Sequence, residues 1–224
     1  MTEANGRRHG PFRDRADAGA ALAEHLFAYR DRDPIVIGLP RGGVVVAAEV
    51  ARGLDAPLDI AIVRKVGAPG NPELAVGAVG EDDVVIRNRE LVAMLGLSDA
   101  EFARRAAVEL DEVRERARRL RPDRPMAPVA GRLVIVVDDG LATGATAEAA
   151  VAVMRVHGAD EVIVGVPVGS PEAIARLGSH ADRVVCIDVP RALGGVGAWY
   201  EDFTAVRENE VARILQPPPP SASG

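Results

Sequence analysis

The stretch Arg132–Thr146, RLVIVVDDGLATGAT, decides the fold of this chain. Leu133 to Val137 is an unbroken apolar, β-branched run and reads as a buried strand. It ends in two adjacent acids, Asp138 and Asp139, followed by a loop of small residues. From Ala147 onward the apolar spacing is helical, through about His157. Strand, loop and helix in this order predict a crossover unit of a parallel sheet, whose loop lies at the carboxyl end of the strand, where open α/β sheets bind ligands.

The loop has specific chemistry. Thr143, Gly144, Ala145 and Thr146 offer two hydroxyls and successive backbone N–H groups at the start of a helix. Such a cluster receives a phosphate. The neighbouring carboxylates would repel that phosphate; they suit ribose hydroxyls, or a Mg²⁺ ion that takes hard oxygen ligands. A strand ending in Asp-Asp-Gly can be an ordinary turn, and it is the Thr-Gly-x-Thr continuation that makes this one an anion site. The pattern argues against a nucleoside-triphosphate P-loop, because no Lys precedes Thr146 and the G-x-x-x-x-G-K-[ST] spacing is absent. An aspartyl phosphatase would need its acids one residue apart.

Toward the amino terminus the pattern repeats. Ile35 to Leu39 (IVIGL) predicts a strand, and a helix is expected from about Val44 to Leu54. Between them Pro40-Arg41-Gly42-Gly43 forms a second anion site, its glycines allowing close approach of backbone to a ligand. Leu58 to Arg64 predicts a further strand ending on Arg64 and Lys65. Lys65 is the only lysine of the chain. In a protein that otherwise uses arginine, it can present a compact ammonium on a flexible stem, although chance retention gives the same count.

Gly67 to Gly80 is rich in glycine and proline and predicts a long mobile loop, with Leu74–Val79 as a stem paired to Val84–Ile86. Glu90 to Arg121 predicts helix in two pieces, broken near Gly96 and Ser98. Ser98 with Glu101 forms a capping box for the second piece. Glu112 with Arg116, and Glu115 with Arg119, are spaced for ion pairs on its face. The arginine-rich end Arg116–Arg124 contains acids and no aromatic platform, so it reads as a solvated face or a subunit contact, which leaves a homodimer open, rather than a nucleic-acid patch.

Beyond the central loop, Val162–Val168 and Val184–Val189 predict strands, with a Ser-Pro-capped helix over Ser170–Leu177 between them. Trp199, Tyr200 and Phe203 gather after the last strand in a chain with 3% aromatic residues. They are candidates for a wall on which a planar acceptor stacks, or for a small C-terminal core. Ala16 to Tyr29 predicts an amphipathic helix and Glu208 to Leu215 a short final one. Residues 1–13 are expected to form a mobile arm and 216–224 a disordered, proline-rich tail, leaving one domain over 14–215.

Composition narrows the function. An apolar content of 48% indicates a globular chain, and a formal charge of −6 gives no general attraction to nucleic acid or anionic membrane. No long uncharged apolar run suggests a membrane span or secretory signal, so the expected location is cytoplasmic. Cys186, alone in an apolar run, reads as a buried strand residue.

Over Val136–Thr146 (VVDDGLATGAT) and Pro40–Gly43 (PRGG) the chain resembles the type I phosphoribosyltransferase family. The fold implied is an open, mostly parallel twisted sheet with helices on both faces, a flexible lid loop over Gly67–Gly80 and a helical insertion over about 90–121. The resemblance implies transfer of ribose 5-phosphate from phosphoribosyl pyrophosphate (PRPP) to a nitrogenous acceptor with Mg²⁺ as cofactor. By motif position Asp138 and Asp139 hold the ribose hydroxyls and contact Mg²⁺ directly or through water. Ala142, Thr143, Gly144, Ala145 and Thr146 hold the 5′-phosphate. Arg41, Gly42 and Gly43 hold pyrophosphate, and Arg64 and Lys65 meet its developing charge. Members acting on 6-oxopurines carry an Asp at the position of Ala142, so the acid/base group is expected elsewhere. A PRPP or nucleotide sensor without turnover, and a phosphosugar phosphotransferase or phosphohydrolase, remain as alternatives.

Overall fold

The computed structural model describes residues 2–4, 11–122 and 124–216, without the side chains of 2–4 and 73. Six parallel strands form the main sheet: β1 (Thr2–Ala4), β2 (Ile35–Gly38), β3 (Leu58–Ile60), β7 (Leu133–Val137), β8 (Glu161–Val168) and β9 (Arg183–Asp188). Their order is β1-β9-β8-β7-β2-β3. All five side chains of β7 are buried, and each fully buried Val or Ile contributes roughly 1.5–3 kcal/mol.

Strand periodicity sorts those side chains to two faces. Ile135 and Val137 join Val36, Ile163 and Val185 against α1 (Arg15–Leu26) and α2 (Gly42–Leu54). Val134 and Val136 join Ile35, Ile37, Val162 and Val164 against α5 (Ala145–Val156) and α6 (Pro171–Leu177). Helices therefore cover both faces, and the sheet is open, as the sequence predicts.

The strand order places the site. The chain leaves β2 through α2 to reach β3 on one side, and leaves β7 through α5 to reach β8 on the other. The carboxyl ends of β2 and β7 are thus where the winding reverses, and a ligand crevice opens at such a point.

A second, antiparallel sheet contains β4 (Val63–Ala68), β5 (Asn71–Gly80) and β6 (Val85–Arg87). It is covered by α3 (Arg89–Met94) and α4 (Asp99–Leu120), whose Val92, Phe102, Ala106, Leu110 and Val113 pack with Val66, Val76 and Val79. The break near Gly96 and the Ser98 cap are as expected, with Ser98 Oγ accepting from the Glu101 amide at 3.2 Å. α7 (Glu208–Ile214) closes the described chain.

Three expectations are corrected. The strand expected over Leu58–Arg64 stops at Ile60, because the chain then turns away and the Ile62 amide donates to Glu81 at 3.1 Å. The stretch expected as a mobile loop is a hairpin: Arg64 pairs with Val79 and Lys65 with Ala78 across β4 and β5, while β5 pairs with β6 as foreseen. The arm expected over 1–13 contributes strand β1, and Phe12 is fully buried, its amide donating to the Trp199 carbonyl at 2.8 Å. The tail expected over 216–224 lies, from 217 onward, outside the described residues. Among the described residues no helix is long and apolar enough to cross a membrane.

Candidate active site

The loops after β2 and β7 touch. A Cβ added to Gly42 would meet Asp139 Oδ2 at 1.9 Å, and one added to Gly43 would meet the Asp138 Cα at 2.8 Å. Only glycine lets the Pro40–Gly43 turn lie against the paired acids. The sequence suggested that these glycines admit a ligand to the backbone; in the folded chain they first admit the other loop.

The two acids are held differently. Asp139 accepts from Arg15 Nε at 2.8 Å, and Arg15 also donates to the Thr204 carbonyl at 2.9 Å. The Arg15 guanidinium carbon lies 3.9 Å from the Phe203 ring centre. Asp138 accepts from the Asp139 amide at 2.9 Å. Burial, then the adjacent Asp139 charge, pushes the Asp138 carboxyl well above the usual carboxylate range, with Arg15 opposing. Arg15 was invisible to sequence reading because it lies 124 residues from Asp139.

The three clustered rings back this pair. The Tyr200 hydroxyl donates to the Asp139 carbonyl at 2.6 Å, and burial pushes that phenol upward. Trp199 Nε1 donates to the Leu193 carbonyl at 3.1 Å. Tyr200 lies between Phe12 and Phe203, with ring centres 5.7 and 5.0 Å away. Tyr200 and Phe203 thus sit against the acid loop, Tyr200 through its hydroxyl and Phe203 through Arg15, while Phe203 keeps an exposed face.

The loop after β7 enters α5 through a glycine. Gly144 caps α5 with φ of +73°, a conformation that a side chain disfavours. Ala142 and Thr143 are exposed beside it, and Thr146 is exposed on the first turn. The loop is pinned from below: Ser170 Oγ donates to the Ala142 carbonyl at 2.9 Å, and the Leu141 amide donates to Val168 at 2.9 Å. The first N–H groups of α5 therefore face the crevice from a fixed base.

A cavity of about 650 Å³ joins the two loops to the antiparallel sheet. Leu39 and Pro40 line one end, Thr143, Ala145 and Thr146 another, and Arg64, Lys65, Arg105, Glu109 and Arg116 the rest. Arg64 bonds Glu109 at 2.5 Å. Arg116 donates to the Pro40 carbonyl at 3.3 Å instead of forming the expected pair with Glu112. The expected Glu115–Arg119 pair is present at 2.8 Å. The sequence placed Arg116 in an ion pair on a helix face, did not single out Arg105 or Glu109, and carried no signal that α4 folds back over the crevice.

The donor set suits a metal shared with a ligand. Among the described residues no three His, Cys, Asp or Glu side chains converge. Asp138 and Asp139 can contribute to a hard divalent ion whose remaining oxygens come from a ligand or water.

Comparison with known proteins agrees with this geometry. The model of the phosphoribosyl transferase domain matches residues 13–201, and the chain belongs to that family. Two proteins of Mycobacterium tuberculosis, each named "Putative phosphoribosyl transferase", are 46% identical over 204 residues. The match covers 91% of this chain and 46% of each relative, so the chain spans about half their length. The crystal structure of a Thermus thermophilus protein is 49% identical, with a TM-score of 0.84 over 92% of this chain and 97% of that one.

Proposed function

We propose that the chain binds PRPP and transfers its ribose 5-phosphate to a nitrogen nucleophile with loss of pyrophosphate. The observation that carries this reading is the contact between the Pro40–Gly43 turn and the Asp138–Asp139 pair, beside the capped phosphate loop at the start of α5. Carboxylates suited to sugar hydroxyls stand beside two loops suited to anions, the combination that a pyrophosphorylated sugar phosphate requires. Partners in this reading are small molecules: PRPP and a nitrogenous acceptor.

Each side chain then has a task. Thr143, Thr146 and the amides of Ala142–Thr146 receive the 5′-phosphate, and Asp138 and Asp139 hold the ribose hydroxyls. Asp138 and Asp139 would hold a Mg²⁺ ion bound together with PRPP, directly or through water, and that ion would neutralise part of the pyrophosphate charge. Arg41, Gly42 and Gly43 hold the pyrophosphate. As the bond from the sugar to pyrophosphate breaks, positive charge gathers on the sugar and negative charge on the leaving oxygen. Arg64 and Lys65 stabilise the latter, a preorganised electrostatic contribution. Arg15 keeps Asp139 oriented.

Titration calorimetry with PRPP, in Mg²⁺ and in EDTA, tests binding; no PRPP binding in either ends the reading. Pyrophosphate release with a panel of purines, pyrimidines and small amines tests transfer. Binding without release for any acceptor assigns the chain to PRPP sensing instead. The Asp138→Asn, Asp139→Asn double variant should lose PRPP affinity, and undiminished affinity would move the sugar site elsewhere.

A further inference from the structure

α4 presents Arg105, Glu109 and Arg116 to the cavity, on the stripe that spacings of four and seven residues define. Two of these charges are compensated: Arg105 bonds Glu101 at 3.0 Å and Glu109 bonds Arg64 at 2.5 Å. Arg116 is not. Its hydrogen bond runs to the neutral Pro40 carbonyl, and among the described residues no carboxylate forms an ion pair with it. Burial, then the charge of Arg41, with Arg64 and Arg119 adding, holds its guanidinium below the ordinary range, while Glu208 opposes. Like charges gathered at a half-buried position raise the free energy of the empty site, and a polyanion between them relieves it.

We propose that Arg116 and Arg41 together receive the pyrophosphate group, so that α4 supplies part of the binding site instead of lying beside it. This rests on the reading that PRPP is the ligand. The bond to Pro40 serves the same end, since it ties the turn that carries Arg41 to the helix that carries Arg116. The ligand chemistry selected is a condensed phosphate: two guanidinium groups from separate elements offer charge-assisted donors to two linked phosphoryl groups.

Arg116→Gln and Arg116→Lys test this by calorimetry with Mg²⁺-pyrophosphate, PRPP and ribose 5-phosphate. Loss of a charge-assisted contact should weaken pyrophosphate and PRPP by about tenfold or more in Arg116→Gln. Ribose 5-phosphate affinity should be unchanged, and Arg116→Lys should recover part of the loss. Equal loss for ribose 5-phosphate and pyrophosphate would show that Arg116 acts only by bracing the Pro40 turn and would overturn the proposal. So would unchanged pyrophosphate affinity in a protein that binds PRPP, and there the PRPP reading would stand. A parent protein that binds neither PRPP nor pyrophosphate would overturn both.

Discussion

The parallel and antiparallel sheets differ in what holds them. In β7 every side chain is buried between two helical layers, whereas β4 mixes buried with half-buried residues and β6 buries none. The antiparallel sheet is joined to the core by charge as well as by packing. Asp59 of β3, fully buried, accepts from Arg121 at 3.1 Å, from Arg124 at 3.0 Å and from the Ala127 amide at 2.7 Å. Arg121, just past α4, also bonds Glu81, just past β5. A platform built from apolar packing fixes the loops after β2 and β7, and a roof carrying cations is attached to it through a few buried ion pairs. The proposed chemistry needs both, since the acids and phosphate loop come from the platform and Arg64, Lys65 and Arg116 from the roof.

The joint is where the comparison breaks most easily. Asp59→Ala takes one of two carboxylates from the buried Arg121 guanidinium and leaves the Ala127 amide without its acceptor, and should cost about 3–5 kcal/mol. The loss should appear in urea unfolding and as faster proteolysis within β4–β6, while α1 and α2 stay protected. Uniform loss of protection would mean that roof and platform unfold as one unit.

On the roof, Lys65→Ala should lower turnover by a factor corresponding to roughly 2.7–4 kcal/mol and weaken PRPP binding less, if the contact tightens in the transition state. Lys65→Arg should recover binding better than rate. Near-normal turnover in Lys65→Ala would leave Arg41, Arg64 and Arg116 as the working cations.

On the platform, Gly42→Ala pushes a methyl group into Asp139 Oδ2. Overpacking of this kind costs about 1–3 kcal/mol, and here PRPP affinity should fall with stability because the displaced atom belongs to the site. Loss of stability with intact affinity would separate the glycines from ligand binding.

The smallest expected effect is a slope with pH. Asp138 is raised above its unfolded value, so between the two values the native state holds more protons than the unfolded chain, and stability falls as pH rises through that window. Ligand binding has the opposite sign, because ribose and Mg²⁺ contacts use the carboxylate: PRPP affinity should rise with pH over the same window. Asp138→Asn should flatten both curves. A slope that persists in that variant would assign the titration to another group.

The sequence by itself determined the platform's strand-loop-helix units and the small-residue loop that enters α5, because strand and helix periodicity and the Thr-Gly-x-Thr pattern are local. It also carried Ser98 as a cap and Lys65 as a candidate cation for the same reason. Tertiary structure alone decided which loops meet, since the order placing β2 beside β7 depends on packing across 95 or more residues of chain. It alone turned the Gly67–Gly80 stretch into a hairpin, because α4 supplies the apolar cover that β4 and β5 require. Arg15 on Asp139 and Arg116 on Pro40 belong to the same class. A guanidinium on a helix face looks the same in sequence whether it meets water or a carboxylate, and only the fold brings the partner within reach.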